Sequence, residues 1–143
     1  MARIKIITPE KIIDTINIPV RIGDINYGNH LGNDSLVSII HEARIKWLSK
    51  NGLSEMNIGG CGTIMNELAV NYLNESFYGD TLIIQISIGE ISTSSFELYY
   101  NITTLRDHKE LKIAKAKTGM VCYDYENKKI AAVPKAFLSL IEN

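Results

Sequence analysis

The segment from Asp34 to Lys50 constrains the fold most, because it has helical spacing and apolar residues around most of its circumference. Its apolar members are Leu36, Val37, Ile39, Ile40, Ala43, Ile45, Trp47 and Leu48. Asn33, Asp34 and Ser35 can each cap its start, and Asn51-Gly52 can cap its end. A helix that is apolar nearly all round is usually buried. We therefore expect one long helix enclosed by a sheet that curls around it.

Stretches with period-two alternation predict the strands of that sheet. The first is Ile16–Ile22, and Pro19 within it indicates a sheet edge, because proline has no N–H for a ladder. The remaining four cover about Thr63–Leu73, Thr81–Ile88, Ser95–Leu105 and Leu111–Tyr123. Short links make these strands antiparallel. Pro134–Ile141 is typical of a short closing helix. The predicted fold class is α+β, with a five-stranded antiparallel sheet wrapped around one long central helix.

Composition limits the function. The 143 residues, 45% of them hydrophobic, suit a single domain that covers residues 1–143. A net charge of −1 argues against a nucleic-acid partner, because bulk electrostatic binding needs a basic excess. No stretch approaches the roughly 20 apolar residues of a membrane span. The N-terminus lacks the apolar core of a signal peptide, so we expect a cytoplasmic protein.

Cysteines and histidines show no metal-binding spacing, so we expect no metal. Cys61 and Cys122 are interpreted as small buried side chains. His41 and His108 are interpreted as structural. The glycine-rich stretch 59–62 lacks the strand–helix context of a dinucleotide loop. We expect it to be a flexible entry into the next strand, near the mouth of a substrate site.

A loop dense in Gly, Asn and Asp, residues 23–34, connects the first strand to the long helix. It contains Asp24-Ile25-Asn26 and, just before the helix, His30-Leu31-Gly32-Asn33. The helix itself carries His41-Glu42-Ala43-Arg44. Three further motifs follow along the chain. They are Tyr78-Gly79-Asp80-Thr81-Leu82, Ser92-Thr93-Ser94-Ser95-Phe96 and the pair Pro134 and Phe137.

Together these motifs resemble the hotdog-fold acyl-CoA thioesterases of the 4-hydroxybenzoyl-CoA thioesterase kind, over almost the whole chain. The resemblance implies hydrolysis of an acyl-CoA-type thioester to free acid and thiol. It also implies that coenzyme A is part of the substrate, with no separate cofactor. Members of this family resemble one another in building the site between subunits, which implies self-association as a dimer or tetramer.

One position departs from the family pattern. The second Asp of the family's Asp-x-Asp motif usually has the catalytic role, and here that position is Asn26. An amide takes no proton at neutral pH and is a poor nucleophile. Another carboxylate could act, with Asp24 and Glu42 as candidates, or Asn26 could orient water. His30 matches the family's histidine and would hydrogen-bond the thioester carbonyl or the attacking water.

The start of the helix is the predicted oxyanion site, because its first N–H groups have no partner within the helix. We expect the thioester oxygen near the backbone of Gly32, Asn33 and Asp34, where glycine permits close approach. Capping is the alternative role for Asn33 and Asp34. Tyr27 could line the acyl pocket or be an exposed aromatic residue. The candidate contacts for the phosphates of coenzyme A are Arg106, Lys112, Lys115 and Lys117.

Three functions are candidates for a chain with these residues. The first is a thioester hydrolase. The second is a non-catalytic protein that binds or senses an acyl thioester, which the amide of Asn26 favours. The third is a dehydratase on the same fold, for which the chain shows no suitable setting of His and acid. The sequence therefore leaves two candidate functions, hydrolysis and binding.

Overall fold

A computed structural model of the protein describes residues 3–142. Its sheet has six antiparallel strands in the order β1-β3-β4-β5-β2, and β6 pairs with β5. The strands are β1 (Ile12–Pro19), β2 (Gly62–Tyr72), β3 (Thr81–Ile91), β4 (Ser95–Arg106), β5 (Lys109–Asp124) and β6 (Lys129–Ile130). The helices are α1 (Asn33–Lys50) and α2 (Lys135–Glu142). The α+β class and the predicted strands are confirmed, and β6 is a two-residue addition to the expected five.

The first strand differs from its predicted bounds. It begins at Ile12, and a bulge between Ile12 and Asp14 breaks the alternation that would have marked its start. It ends at Pro19 on the edge of the sheet, as expected. Ile22 lies instead in a short 3-10 helix, because Arg21 N–H donates to Asp24 Oδ2 at 2.9 Å and tightens the chain.

The curved sheet wraps around the long helix α1, as predicted, but α1 is buried on one side only, so the expectation that it is buried nearly all round was wrong. Leu36, Ile40 and Ala43 pack into the core against the sheet. The opposite side is exposed and includes Glu42 and Ile45. The apolar residues are spread around the helix, but one curved sheet covers only one of its sides.

The core between α1 and the sheet contains a chain of buried polar groups. The Arg44 guanidinium donates to the Tyr100 hydroxyl at 3.2 Å, and that hydroxyl lies 2.8 Å from Thr118 Oγ1. Arg44 also lies 3.9 Å from Glu55, which in turn contacts His41. Burial raises the pKa of Tyr100, so its hydroxyl keeps its proton. These contacts offset part of the cost of burying the polar groups, while Arg44 Nε is buried without a hydrogen-bond partner.

Helix α2 closes one end of the core. Its Phe137 packs against Phe96, with ring centroids 4.9 Å apart, and against Trp47 of α1 at 5.9 Å. Among the described residues, none of the helices has the length and apolar character that crossing a membrane requires.

Candidate active site

The main cavity lies where the loop after β1 meets the start of α1 and the segment after β2. Its volume is about 1010 Å³. Six of the eight site residues predicted from the sequence line it: Asn26, Tyr27, His30, Gly32, Asn33 and Asp34. The fold therefore brings most of the predicted site together.

Local hydrogen bonds shape the loop between β1 and α1. Asn26 N–H donates to His30 O, and Asn29 N–H donates to Asn26 O, both at 3.0 Å. Asn29 has φ of 70°, a left-handed conformation that asparagine tolerates better than most residues. Leu31 N–H then donates to Ser76 O at 2.7 Å. This last bond joins the loop to the segment after β2, so both form one cavity wall.

The N-terminus of α1 supplies hydrogen-bond donors at the cavity. Gly32 is the N-cap residue and provides no side-chain cap. The first intrahelical bond runs from Leu36 N–H to Gly32 O at 3.0 Å. The N–H groups of Asn33, Asp34 and Ser35 therefore have no partner within the helix. They carry the positive end of the helix dipole, which favours a developing oxyanion.

The N–H group of Gly32 itself is not free at the start of α1. Its N–H donates to Asp24 O at 2.9 Å, so it is already committed to the loop. A Cβ added there would lie 2.7 Å from Asp34 Oδ1. The contribution of Gly32 is the space that its missing side chain leaves beside the donors.

The Asn26 side chain is partly committed to its own loop. Its Oδ1 accepts a hydrogen bond from Gly28 N–H at 2.9 Å. The carbamoyl oxygen is thus used in a turn, and the NH₂ group is left to donate. An amide in this arrangement can orient water or a carbonyl group but cannot accept the proton of an attacking water.

His30 has a defined orientation on the cavity wall. Its Nδ1 lies 3.3 Å from Leu31 O, and since a carbonyl oxygen only accepts, Nδ1 must carry the proton of this bond. The other ring nitrogen, Nε2, lies 3.9 Å from Glu75 Oε1. In the neutral ring Nε2 is therefore free to accept a hydrogen bond.

Two cavity residues, Glu75 and Tyr72, were not predicted from the sequence. Both line the cavity, and the Tyr72 hydroxyl donates to Asn33 O at 2.8 Å. Burial raises the pKa of Tyr72, and the negative charge of Asp34 adds to this. The sequence shows that Glu75, just after β2, carries a carboxylate. It does not show that this carboxylate lies near His30, because that proximity depends on a contact between distant parts of the chain.

The segment that carries Glu75 is held by Asp80. This carboxylate accepts hydrogen bonds from the Ser76 hydroxyl at 2.8 Å and from Phe77 N–H at 2.9 Å, and it pairs with Arg106. Burial acts to raise the pKa of Asp80, but these donors outweigh it and leave the pKa below its ordinary value. The Arg106 guanidinium also lies 5.0 Å from the centre of the Phe77 ring.

Two predicted catalytic carboxylates lie outside the cavity wall. Asp24 is buried and accepts from Arg21 N–H, so it positions the loop. Glu42 lies on the exposed side of α1, 3.5 Å from Lys46. The glycine-rich stretch also lies elsewhere: a Cβ on Gly59 would be 3.3 Å from Pro134. Its expected place near the substrate mouth is therefore wrong for this chain.

None of the four basic residues predicted to contact the phosphates of coenzyme A lines the cavity, and two of them form ion pairs. Arg106 pairs with Asp80, and Lys117 lies 2.7 Å from Glu97. Contacts of Lys112 and Lys115 with coenzyme A stay predictions. Within residues 3–142, no group of three or more His, Cys, Asp or Glu side chains is placed to hold a metal ion.

Comparison with known proteins places this architecture among the thioesterases. The profile of the thioesterase-like superfamily matches residues 20–141. The chain therefore belongs to the thioesterase-like superfamily, and the predicted resemblance is confirmed.

Sequence similarity to an individual relative covers only part of the chain. A 1,4-dihydroxy-2-naphthoyl-CoA hydrolase from Acaryochloris marina is 34% identical over 73 residues, which cover 51% of this chain and 53% of that protein. The match thus spans about half the length of that relative.

Solved structures share the whole fold. A 1,4-dihydroxy-2-naphthoyl-CoA thioesterase from Synechocystis has a TM-score of 0.79 at 23% identity, covering 90% of this chain and 95% of that one. The 4-hydroxybenzoyl-CoA thioesterase from Pseudomonas sp. has a TM-score of 0.77 at 18% identity, covering 89% and 97%. These similarities confirm the hotdog fold.

Proposed function

We propose that this protein hydrolyses an acyl-CoA-type thioester to a free acid and a thiol. The observation that carries the proposal is the start of α1, where Asn33 and Asp34 line a cavity of about 1010 Å³ and their N–H groups have no partner within the helix. Membership of the thioesterase-like superfamily supports it.

In the proposed reaction, the thioester oxygen lies at the N–H groups of Asn33, Asp34 and Ser35. These donors stabilise the oxyanion that forms when water adds to the carbonyl carbon. The Asn26 NH₂ group and His30 orient the thioester or the water. The leaving thiol has a pKa of roughly 8–9, like that of a cysteine, so it departs without a strong general acid. Coenzyme A enters only as part of the substrate.

The names of the relatives suggest which substrates to test first. The Acaryochloris protein is a 1,4-dihydroxy-2-naphthoyl-CoA hydrolase, so aromatic acyl-CoAs are the first class. The experiment is a thiol-release assay over aromatic, short-chain and long-chain acyl-CoAs. Release that saturates with at least one of these thioesters supports the proposal.

Non-catalytic binding of an acyl thioester is the second candidate, and Asn26 is the observation that favours it. The position that the family uses for an acid holds an amide, and its oxygen is bonded to Gly28 N–H. Calorimetric binding of an acyl-CoA by a chain that releases no thiol would favour this alternative.

We also propose that the chain self-associates through the β2 edge of the sheet. Strand β2 pairs with β5 on one side only, and an unpaired edge offers its backbone groups to another strand. Ile64 and Met65 on this strand are exposed, as is Tyr72, which also lines the cavity. A dimer formed here would place a partner beside the site.

Light scattering tests this assembly. We expect the mass of a dimer or tetramer for the wild-type chain and a smaller species for Met65→Glu, which adds a charge to the edge. A monomeric wild-type chain at micromolar concentration would contradict it. The cytoplasmic location predicted from the sequence stays a prediction.

A further inference from the structure

We propose that Glu75 is the general base of this site. Its carboxylate takes a proton from the attacking water, which the amide of Asn26 cannot do. This inference rests on the proposed hydrolysis. It assigns a catalytic role to a residue on the segment between β2 and β3.

The positions of the other carboxylates leave Glu75 as the best placed. Asp24 is buried behind the loop and bonded to Arg21 N–H, and Glu42 lies on the exposed side of α1. Glu67 lies 3.3 Å from Lys117 and does not line the cavity. Asp34 does line it, but Asp34 lies in the first turn of α1, beside the N–H groups at which the thioester oxygen is proposed to bind.

His30 gives Glu75 a partner on the cavity wall. Because Leu31 O accepts from Nδ1, the free Nε2 of His30 faces Glu75 Oε1 at 3.9 Å. That separation is too long for a direct hydrogen bond and short enough for one water to contact both atoms. A water held there has two acceptors, which fixes its orientation and leaves its lone pair for the thioester carbon.

The segment carrying Glu75 is anchored on both sides of the site. Ser76 O accepts from Leu31 N–H at 2.7 Å, which ties the residue after Glu75 to the residue after His30. The Ser76 hydroxyl donates to Asp80 at 2.8 Å. The Glu75 side chain remains 66% exposed, so water reaches it freely. A base needs such fixed placement and access to its water.

Glu75 takes up one proton and then returns it during the proposed hydrolysis. The water oxygen forms a bond to the thioester carbon while its proton passes to the Glu75 carboxylate, and the carbonyl electrons move onto the oxygen held at the start of α1. Collapse of this intermediate breaks the carbon–sulfur bond. The thiolate leaves and takes up the proton from Glu75. The products are the acid and the thiol, and Glu75 returns to its starting state.

Glu75→Gln tests the assignment, because the amide keeps the shape and cannot take the proton. We expect kcat to fall by about 10²–10⁴-fold, the usual contribution of a general base, with KM changed less than about threefold. The matched control is Glu90→Gln, an exposed carboxylate at the opposite end of β3. We expect this control to retain wild-type kcat. Circular dichroism checks that both variants are folded.

Chemical rescue separates a base from a structural group. Acetate added to Glu75→Ala supplies a carboxylate to the open cavity, and we expect it to raise kcat at least tenfold without affecting Glu90→Ala. A loss of kcat below tenfold in Glu75→Gln, or the absence of rescue, would overturn the assignment in an active enzyme. A wild-type chain that releases no thiol would overturn the proposed hydrolysis, and the role of Glu75 with it.

Discussion

Asp80 and Arg106 form an ion pair, 15% and 33% exposed, that fixes the segment between β2 and β3 against the sheet. Asp80 also accepts from the Ser76 hydroxyl and Phe77 N–H. The residue next to these donors is Glu75, on the cavity wall. The placement of Glu75 therefore depends on a carboxylate that does not itself line the cavity.

Asp80→Asn should lower both stability and activity. Replacing the carboxylate removes the charge from several hydrogen bonds, and bonds to charged groups contribute about 2 kcal/mol each. We expect a loss of about 2 kcal/mol in urea unfolding and a reduced kcat. Unchanged unfolding of Asp80→Asn would show that the pair contributes nothing measurable.

The same carboxylate predicts an acid-dependent loss of stability. Because the pKa of Asp80 is lower in the folded chain than in the unfolded chain, its ionised form favours folding. This contribution is present above pH about 4 and is lost as the pH falls through the folded pKa. We expect the unfolding free energy of the wild type to fall more steeply below pH 4 than that of Asp80→Asn. Parallel curves for the two would contradict this.

Gly32→Ala tests the space beside the start of α1. The added Cβ would approach Asp34 Oδ1, the far end of a flexible side chain, and would lie 3.6 Å from Asp24 O. We therefore expect a folded protein whose thiol release is reduced at least tenfold, because the methyl group obstructs the N–H donors. Gly23→Ala is the matched control, since nothing lies within 4 Å of a Cβ there. Equal activity in the two variants would argue against an oxyanion at this helix start.

Tyr100→Phe tests the buried polar chain in the core. The hydroxyl is the acceptor for Arg44 and lies within hydrogen-bond distance of Thr118, and all three residues are buried. Removing it leaves a buried guanidinium short of a partner, which costs about 1–3 kcal/mol. Urea unfolding should show this loss, whereas Tyr78→Phe, at an exposed tyrosine, should match the wild type. A loss below 0.5 kcal/mol, on the order of a surface substitution, would contradict the role of the hydroxyl.

The two cysteines should be unreactive in the folded chain. Burial raises the pKa of Cys61, and it raises that of Cys122 to about 12, so few thiolates form near pH 8. Mass spectrometry after iodoacetamide treatment should show unmodified cysteines in the native protein and two modified ones in urea. Alkylation of the native chain at the rate of the urea-unfolded chain would show that the thiols are accessible.

Most of the fold could be predicted because its signals are local. The alternation over β3, β4 and β5 follows from side chains that face the core at every second position. The start of β1 was missed because the bulge near Ile12 interrupts that alternation. The exposed side of α1 was missed because Ile45, 45% exposed, looks like a core residue in the sequence.

The site was predictable only where it is contiguous in the chain. Asn26, His30 and Asn33 lie within one loop and the start of one helix, so they could be found together. Glu75 could not, because it reaches His30 through the bond between Leu31 N–H and Ser76 O. A contact across so many residues leaves no pattern in the sequence of either segment.

Thiol release by the wild-type chain tests the central claim most directly. The same preparation would be assayed for turnover of aromatic, short-chain and long-chain acyl-CoAs, and for binding of each by calorimetry. We expect saturable thiol release with at least one of them, despite the amide at Asn26. Measurable binding without turnover of any would contradict it and would identify an acyl-thioester binding protein on the thioesterase fold.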